Sequence, residues 1–261
     1  MNQAREKIIR NRLNKMAGWA KQRREYLKNL PEDWNEDWYI RIGGNGFTAV
    51  SLNDNSPLIG FSDESDEDIK KIICQFKQNQ AKNISDSHPE RRVQCWLIKQ
   101  AISHQLDLKR VLCADDREYD ELLFAFDEIS FGDKYHRPIR RCDILAIGVN
   151  NGDAFPVLIE LKSSHDLEKL LGQLKDYQTE MEGCRHEFEN LFNSCISDKK
   201  VNLSKCKKII VWNRLPSGKV SPKTFDRCKQ ENVAIIQYDW DHCSDISNIT
   251  FEPYPGLAMA P

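Results

Sequence analysis

The sequence predicts an α/β protein: a mixed central β-sheet flanked by helices, with a small α+β appendage at the N-terminus. Three observations predict it. From residue 87 onward the order of elements is helix, three strands, helix, strand, helix, strand, which suits a layered sheet-and-helix architecture. The segment from Ile139 to Leu161 contains two apolar runs joined by Asn151-Gly152, a strong two-residue hairpin signal. The later apolar runs, 208–212 and 233–238, are short enough for strands and have a helical pattern between them.

Each element has its own warrant. Ile9, Leu13, Met16, Ala20, Leu27 and Leu30 recur near helical spacing, and Pro31 ends that first helix. Trp38–Ile42 and Phe47–Leu52 read as strands around a Gly43-Gly44-Asn45-Gly46 turn. A second helix is expected over Asp66–Gln78, burying Ile69, Ile72, Ile73 and Phe76, with Ser65 as its N-cap. These elements make up the appendage, residues 1–85; the main domain spans 86–261. In it, a third helix is expected from Ser87 to about Leu106. Strands follow at Leu122–Ile129, Ile139–Val149 and Phe155–Leu161. Leu167, Leu170, Leu171 and Leu174 give the helix Asp166–Met181 an apolar side. Lys208–Trp212 and Val233–Tyr238 are the last expected strands, with a helix over Pro222–Glu231 between them.

Composition bounds the class of function. The chain has 261 residues, 40% hydrophobic and 30% charged, the balance of a globular protein rather than a disordered one. No apolar run reaches the roughly 18 residues that a membrane helix needs, and the N-terminus has no signal-like apolar core. The expected location is the cytoplasm, with no membrane partner. Nine cysteines occur without a C-x-x-C pair. Cys184, Cys195 and Cys206 are evenly spaced with His186 nearby, a pattern open to a metal or iron–sulfur role, but the plainer and favoured reading is reduced thiols, many of them buried, in a reducing compartment. The net charge is −2, unevenly distributed. Residues 1–30 carry nine Lys/Arg against two Glu, and residues 31–86 carry five basic against eleven acidic residues. The basic helix is open to two readings, a phosphate-binding surface or a solvated face balanced by its acidic neighbour.

The informative chemistry lies on the hairpin. Side chains alternate along a strand, so Glu160 and Lys162 share one side and Leu161 faces the other. A carboxylate and an amine thus end the apolar run Val157-Leu158-Ile159, where either charge needs a partner. Asp143 interrupts the opposing strand, and antiparallel pairing through Asn151-Gly152 can bring it beside Glu160. Two carboxylates from adjacent strands form an oxygen-rich site suited to Mg²⁺ or Mn²⁺. Phosphodiester hydrolysis needs charge neutralisation, an activated water and a stabilised leaving oxygen. In such a site Lys162 would orient or help activate the water.

Asp143 followed by Ile159-Glu160-Leu161-Lys162 resembles the bipartite motif of the PD-(D/E)xK, restriction-endonuclease-like nucleases, with Cys142 where the motif usually has Pro. Gln173 and Tyr177, four residues apart on the next helix, are similar to the Q-x-x-x-Y motif of the RecB-like branch. The resemblance covers about residues 88–240. It implies a metal-dependent nuclease acting on nucleic acid, DNA foremost, with Asp143, Glu160 and Lys162 as catalytic residues. It also implies that the Gln173/Tyr177 face supports the site and contacts the nucleic acid backbone. Glu90 is the candidate third metal ligand beside Asp143 and Glu160. A homodimer is compatible with double-strand cutting.

Each residue also has a plainer reading. Asp143 could pair with Arg140 or Arg141, and Glu160 with Lys162 as an edge-strand ion pair. Gln173 and Tyr177 could be ordinary surface and core positions. Ser87-His88-Pro89-Glu90 fits a capping box in which Glu90 bonds back to Ser87. His165 follows the motif and could touch phosphate; His88 and His136 have weaker claims. The alternative function is a catalytically inactive nucleic-acid-binding or protein-interaction module on the same fold.

Overall fold

The computed structural model describes residues 3–28, 37–43, 46–53, 89–114, 117–131, 140–162, 167–196, 199–214, 220–240 and 245–255. Within them the chain forms helix α1 (Gln3–Lys28), strands β1 (Trp38–Gly43) and β2 (Gly46–Ser51), then helix α2 (Pro89–Ser103). Strands β3 (Glu121–Phe131), β4 (Arg140–Asn150) and β5 (Asp153–Lys162) follow, then helices α3 (Leu167–Gly183) and α4 (Arg185–Asn193). Strand β6 (Lys207–Asn213), helix α5 (Pro222–Gln230) and strands β7 (Val233–Asp239) and β8 (Thr250–Pro253) complete the fold.

The main sheet has six strands in the order β3-β4-β5-β6-β7-β8. The first three pair antiparallel, β5, β6 and β7 run parallel, and β8 returns antiparallel. This is the expected mixed α/β architecture, with the small antiparallel pair β1-β2 as a separate sheet. Asn151 and Gly152 close the β4–β5 hairpin with φ of 50° and 82°, the left-handed turn that Asn and Gly tolerate best. The parallel pairing of β5 with β6 requires a long crossover, which α3 and α4 supply.

Alternating side chains give each strand two apolar faces. Leu158, Ile210, Trp212 and Ile235 join one cluster with Leu170, Leu171, Leu174 and Tyr177 of α3 and Phe188, Leu191 and Phe192 of α4. Val157, Ile159, Leu161, Ile209, Val211 and Ile236 join the other with Val93, Leu97, Ile98 and Ala101 of α2. Helices therefore cover both faces, which explains the near-continuous apolar runs of β5 and β6.

The described part of residues 1–85 shares this core. Ile9, Leu13, Met16 and Ala20 of α1 lie in the α3/α4 cluster, as do Trp38, Ile40 and Phe47. Three arginines of the basic helix serve internal contacts. Arg10 pairs with Glu187 of α4 at 2.7 Å. Arg24 donates to the carbonyl of Ser194 at 3.2 Å. Arg23, buried, donates to the Ala125 carbonyl, where the β3–β4 register shifts. Arg41 of β1 forms a buried ion pair with Asp127 of β3 at 2.5 Å, and the Tyr39 hydroxyl bonds to the same carboxylate.

Several details differ from or fall outside the sequence reading. Helix α2 stops at Ser103 instead of about Leu106, because Gln105 and Leu106 adopt φ of 56° and 72°, outside helical space. Helix α4 and strand β8 were not expected. The helix expected at Asp66–Gln78 and its cap Ser65 lie outside the described residues. So do Leu30, Pro31, the turn residues Gly44 and Asn45, and the Ser87 cap.

Candidate active site

The β4–β5 ladder ends at the pair Ile144–Ile159. One residue beyond, the Leu161 N–H donates to Asp143 Oδ2 at 2.7 Å instead of to a main-chain carbonyl of β4. The Asp143 side chain thus takes over a ladder bond at the point where the two strands part. A short carboxylate at this position satisfies a buried strand donor, which an apolar residue could not do.

Glu160 faces the same side as Leu158 and is 1% exposed. Its Oε1 lies 3.5 Å from Lys162 Nζ, while its Oε2 is buried with no hydrogen-bond partner. Lys162 Nζ also reaches Glu90 Oε2 at 3.6 Å, from the first turn of α2. The structure therefore brings Glu90, Asp143, Glu160 and Lys162 together at the end of β5. The plainer pairing of Asp143 with Arg141 is not what forms, since Arg141 pairs with Glu128 at 3.3 Å. The side chain of Arg140, and residues His88, His136 and His165, lie outside the described residues.

The electrostatics follow from burial. Desolvation pushes the Asp143 carboxyl from 3.8 up to about 7, against the pull of Lys162 and the Leu161 N–H. Desolvation, with the neighbouring Asp143, holds the Glu160 carboxyl well above its ordinary range; Lys162 only partly offsets this. Burial pulls the Lys162 ammonium down, but Asp143, Glu160 and Glu90 outweigh it and leave it above its usual value. Lys162 is therefore a protonated donor with three N–H groups rather than a free base.

The other two expected residues sit on α3. Tyr177 is wholly buried, and its hydroxyl donates to the Arg141 carbonyl at 2.7 Å, two residues before Asp143. Its buried ring and this bond tie α3 to the strand that carries Asp143. Gln173 is half-buried one turn earlier, and among the described residues its side chain has no hydrogen-bond partner.

Two residues near the site were not anticipated. Gln94 Nε2 donates to the Asp143 carbonyl at 2.7 Å and to Glu128 Oε1 at 3.3 Å. Glu128 has φ of 52°, and its charge helps to raise the Asp143 carboxyl. Gln94 follows Glu90 by four residues, a spacing that puts both on one helix face and was legible in principle. Nothing in the sequence marks Glu128.

The donor set can be weighed against a divalent cation. Among the described residues, no three His, Cys, Asp or Glu side chains are gathered closely enough to enclose an ion in this arrangement. The Lys162 ammonium is shared between Glu90 and Glu160 instead. The chemistry nevertheless fits a hard cation: the donors are carboxylate oxygens, one of them buried and unpartnered, in a place where negative charge is under-compensated. The evenly spaced cysteines do not form such a site. Cys184, Cys195 and Cys206 are free thiols, and burial pushes them up to about 11, 12 and 12. Among the described residues no helix is long and apolar enough to cross a membrane.

No protein-family model matches the chain, and no curated protein matches it in sequence.

Proposed function

We propose that this chain is a metal-dependent nuclease of the PD-(D/E)xK type, hydrolysing phosphodiester bonds with DNA as its expected substrate. What carries the reading is the meeting of Asp143, Glu160 and Lys162 where β4 and β5 part, with Glu160 Oε2 buried and unpartnered. A stable fold gains nothing from an orphaned carboxylate oxygen at 1% exposure. A ligand that binds there would compensate it.

Asp143 and Glu160, with Glu90 from α2, would hold Mg²⁺ or Mn²⁺. Such a cation supplies charge neutralisation on the phosphate and a more acidic water. The chain's own residues do the rest. Lys162 stays protonated, so its N–H groups orient the attacking water and donate to a phosphate oxygen. The Leu161 N–H fixes the Asp143 carboxylate. Tyr177 anchors β4 behind it. Glu90 draws Lys162 toward the start of α2.

One observation favours a second reading. Lys162 is within ion-pair distance of both Glu90 and Glu160, so the cluster is partly self-neutralised, as in a non-catalytic module on this fold. Titration with Mn²⁺ separates the two. The nuclease reading expects the wild type to bind Mn²⁺ and to melt at higher temperature with it. Asp143→Ala should abolish that shift, and Glu90→Gln should weaken it. An unshifted wild type supports the inactive module, and a shift that survives Asp143→Ala puts the metal elsewhere.

A further inference from the structure

Helix α2 presents two residues to the site, one turn apart. Glu90 meets Lys162, and Gln94, 3% exposed, meets Asp143 and Glu128. The place where Gln94 acts is unusual for a sheet. Asp143 lies one residue past the last rung between β4 and β5. On the other side, β3 pairs regularly with β4 at Asp127–Ile144 and Ile129–Cys142, but Glu128 between them has φ of 52°. Both neighbours of β4 are thus irregular at the level of Asp143. Regular pairing does not fix the main chain there, yet its carboxylate must be fixed to accept the Leu161 N–H.

A glutamine amide suits this task. One NH₂ group offers two donors, matching the Asp143 carbonyl and the Glu128 carboxylate. Glutamate at the same place would turn acceptors toward acceptors, and methionine would fill the space without donating. We propose that Gln94 is a positioning residue of the site. It ties the Asp143 main chain to the helix that carries Glu90, so that the carboxylates of three separate elements keep one arrangement. This rests on reading Asp143 and Glu90 as members of a metal site.

The test compares wild type, Gln94→Met and Gln94→Asn, the last keeping the amide but withdrawing it by one methylene. The readout is hydrogen exchange at the Leu161 amide in the metal-free protein, against the Ile210 and Val211 amides of β6 as internal controls. Loss of the clamp should speed exchange at Leu161 about tenfold relative to those controls, the scale of one hydrogen bond. A merely structural role would move Leu161 and the controls together, and that result overturns the proposal. If Gln94→Met fails to fold, Gln94→Asn carries the same comparison. Mn²⁺ titration of the same samples should show binding weakened about tenfold in both variants. A wild type that binds no Mn²⁺ would remove the metal-site reading, while the exchange result would still decide whether Gln94 positions Asp143.

Discussion

Replacing Asp143 with Asn should stabilise the metal-free protein, by an amount that depends on pH. Asn keeps an oxygen to accept the Leu161 N–H and removes the charge. The folded protein raises this carboxyl from 3.8 to about 7, chiefly by desolvation. Between those values the folded state binds more protons than the unfolded chain. Stability linked to this group is therefore full below about pH 4 and is lost as pH rises toward 7. At about 1.4 kcal/mol for each tenfold change in the protonation equilibrium, ionised Asp143 costs at most about 4 kcal/mol above pH 7. Asn avoids this cost and also relieves Glu160, whose carboxyl Asp143 helps to raise. For a chain of this size the gain corresponds to several degrees in melting temperature. Thermal melts in EDTA at about pH 4.5 and pH 8 read it directly. The Asp143→Asn protein should melt above wild type at the higher pH, with a much smaller gap at the lower. A variant that melts below wild type at pH 8, or a gap that ignores pH, would refute this electrostatic picture.

Two further substitutions probe what supports the site. Arg41→Met leaves Asp127, 2% exposed, without its ion-pair partner and should cost about 3–5 kcal/mol in urea unfolding; a loss below about 1 kcal/mol would show that the pair contributes little. Tyr177→Phe removes the bond to the Arg141 carbonyl and should cost about 1 kcal/mol, with a several-fold fall in cleavage at unchanged substrate affinity. A rise in KM alone would instead make Tyr177 a binding residue.

The parts of the fold that depend on local pattern were legible. Asn151-Gly152 named its turn because few other residue pairs accept two left-handed positions in a row. The apolar runs of β4 and β5 identified themselves as covered strands, and the spacing of Asp143, Glu160 and Lys162 pointed to one end of their hairpin. Helix α4 does not stand out as a separate helix although Phe188, Leu191 and Phe192 recur at helical spacing, because only a single turn residue, Cys184, divides it from α3. Strand β8 is four residues long and buries only Phe251, too little pattern to stand out. The basic character of α1 was visible, but its use was not: Arg10, Arg23 and Arg24 meet partners more than 100 residues away. The same is true of the ending of the β4–β5 ladder, which depends on register. Gln94 and Glu128 owe their place near Asp143 to that ending and to a backbone irregularity that no residue type announces.

On the proposed reading, Asp143, Glu160 and Lys162 form a metal-dependent phosphodiesterase centre, and incubation of the protein with single- and double-stranded DNA and RNA in Mg²⁺, Mn²⁺ or EDTA, with Lys162→Ala beside wild type, decides it. Wild type should cleave at least one of these substrates with a divalent ion and none in EDTA. Lys162→Ala should cleave orders of magnitude more slowly while retaining its fold. Equal cleavage by wild type and Lys162→Ala, or no cleavage of any substrate by wild type, would contradict the claim.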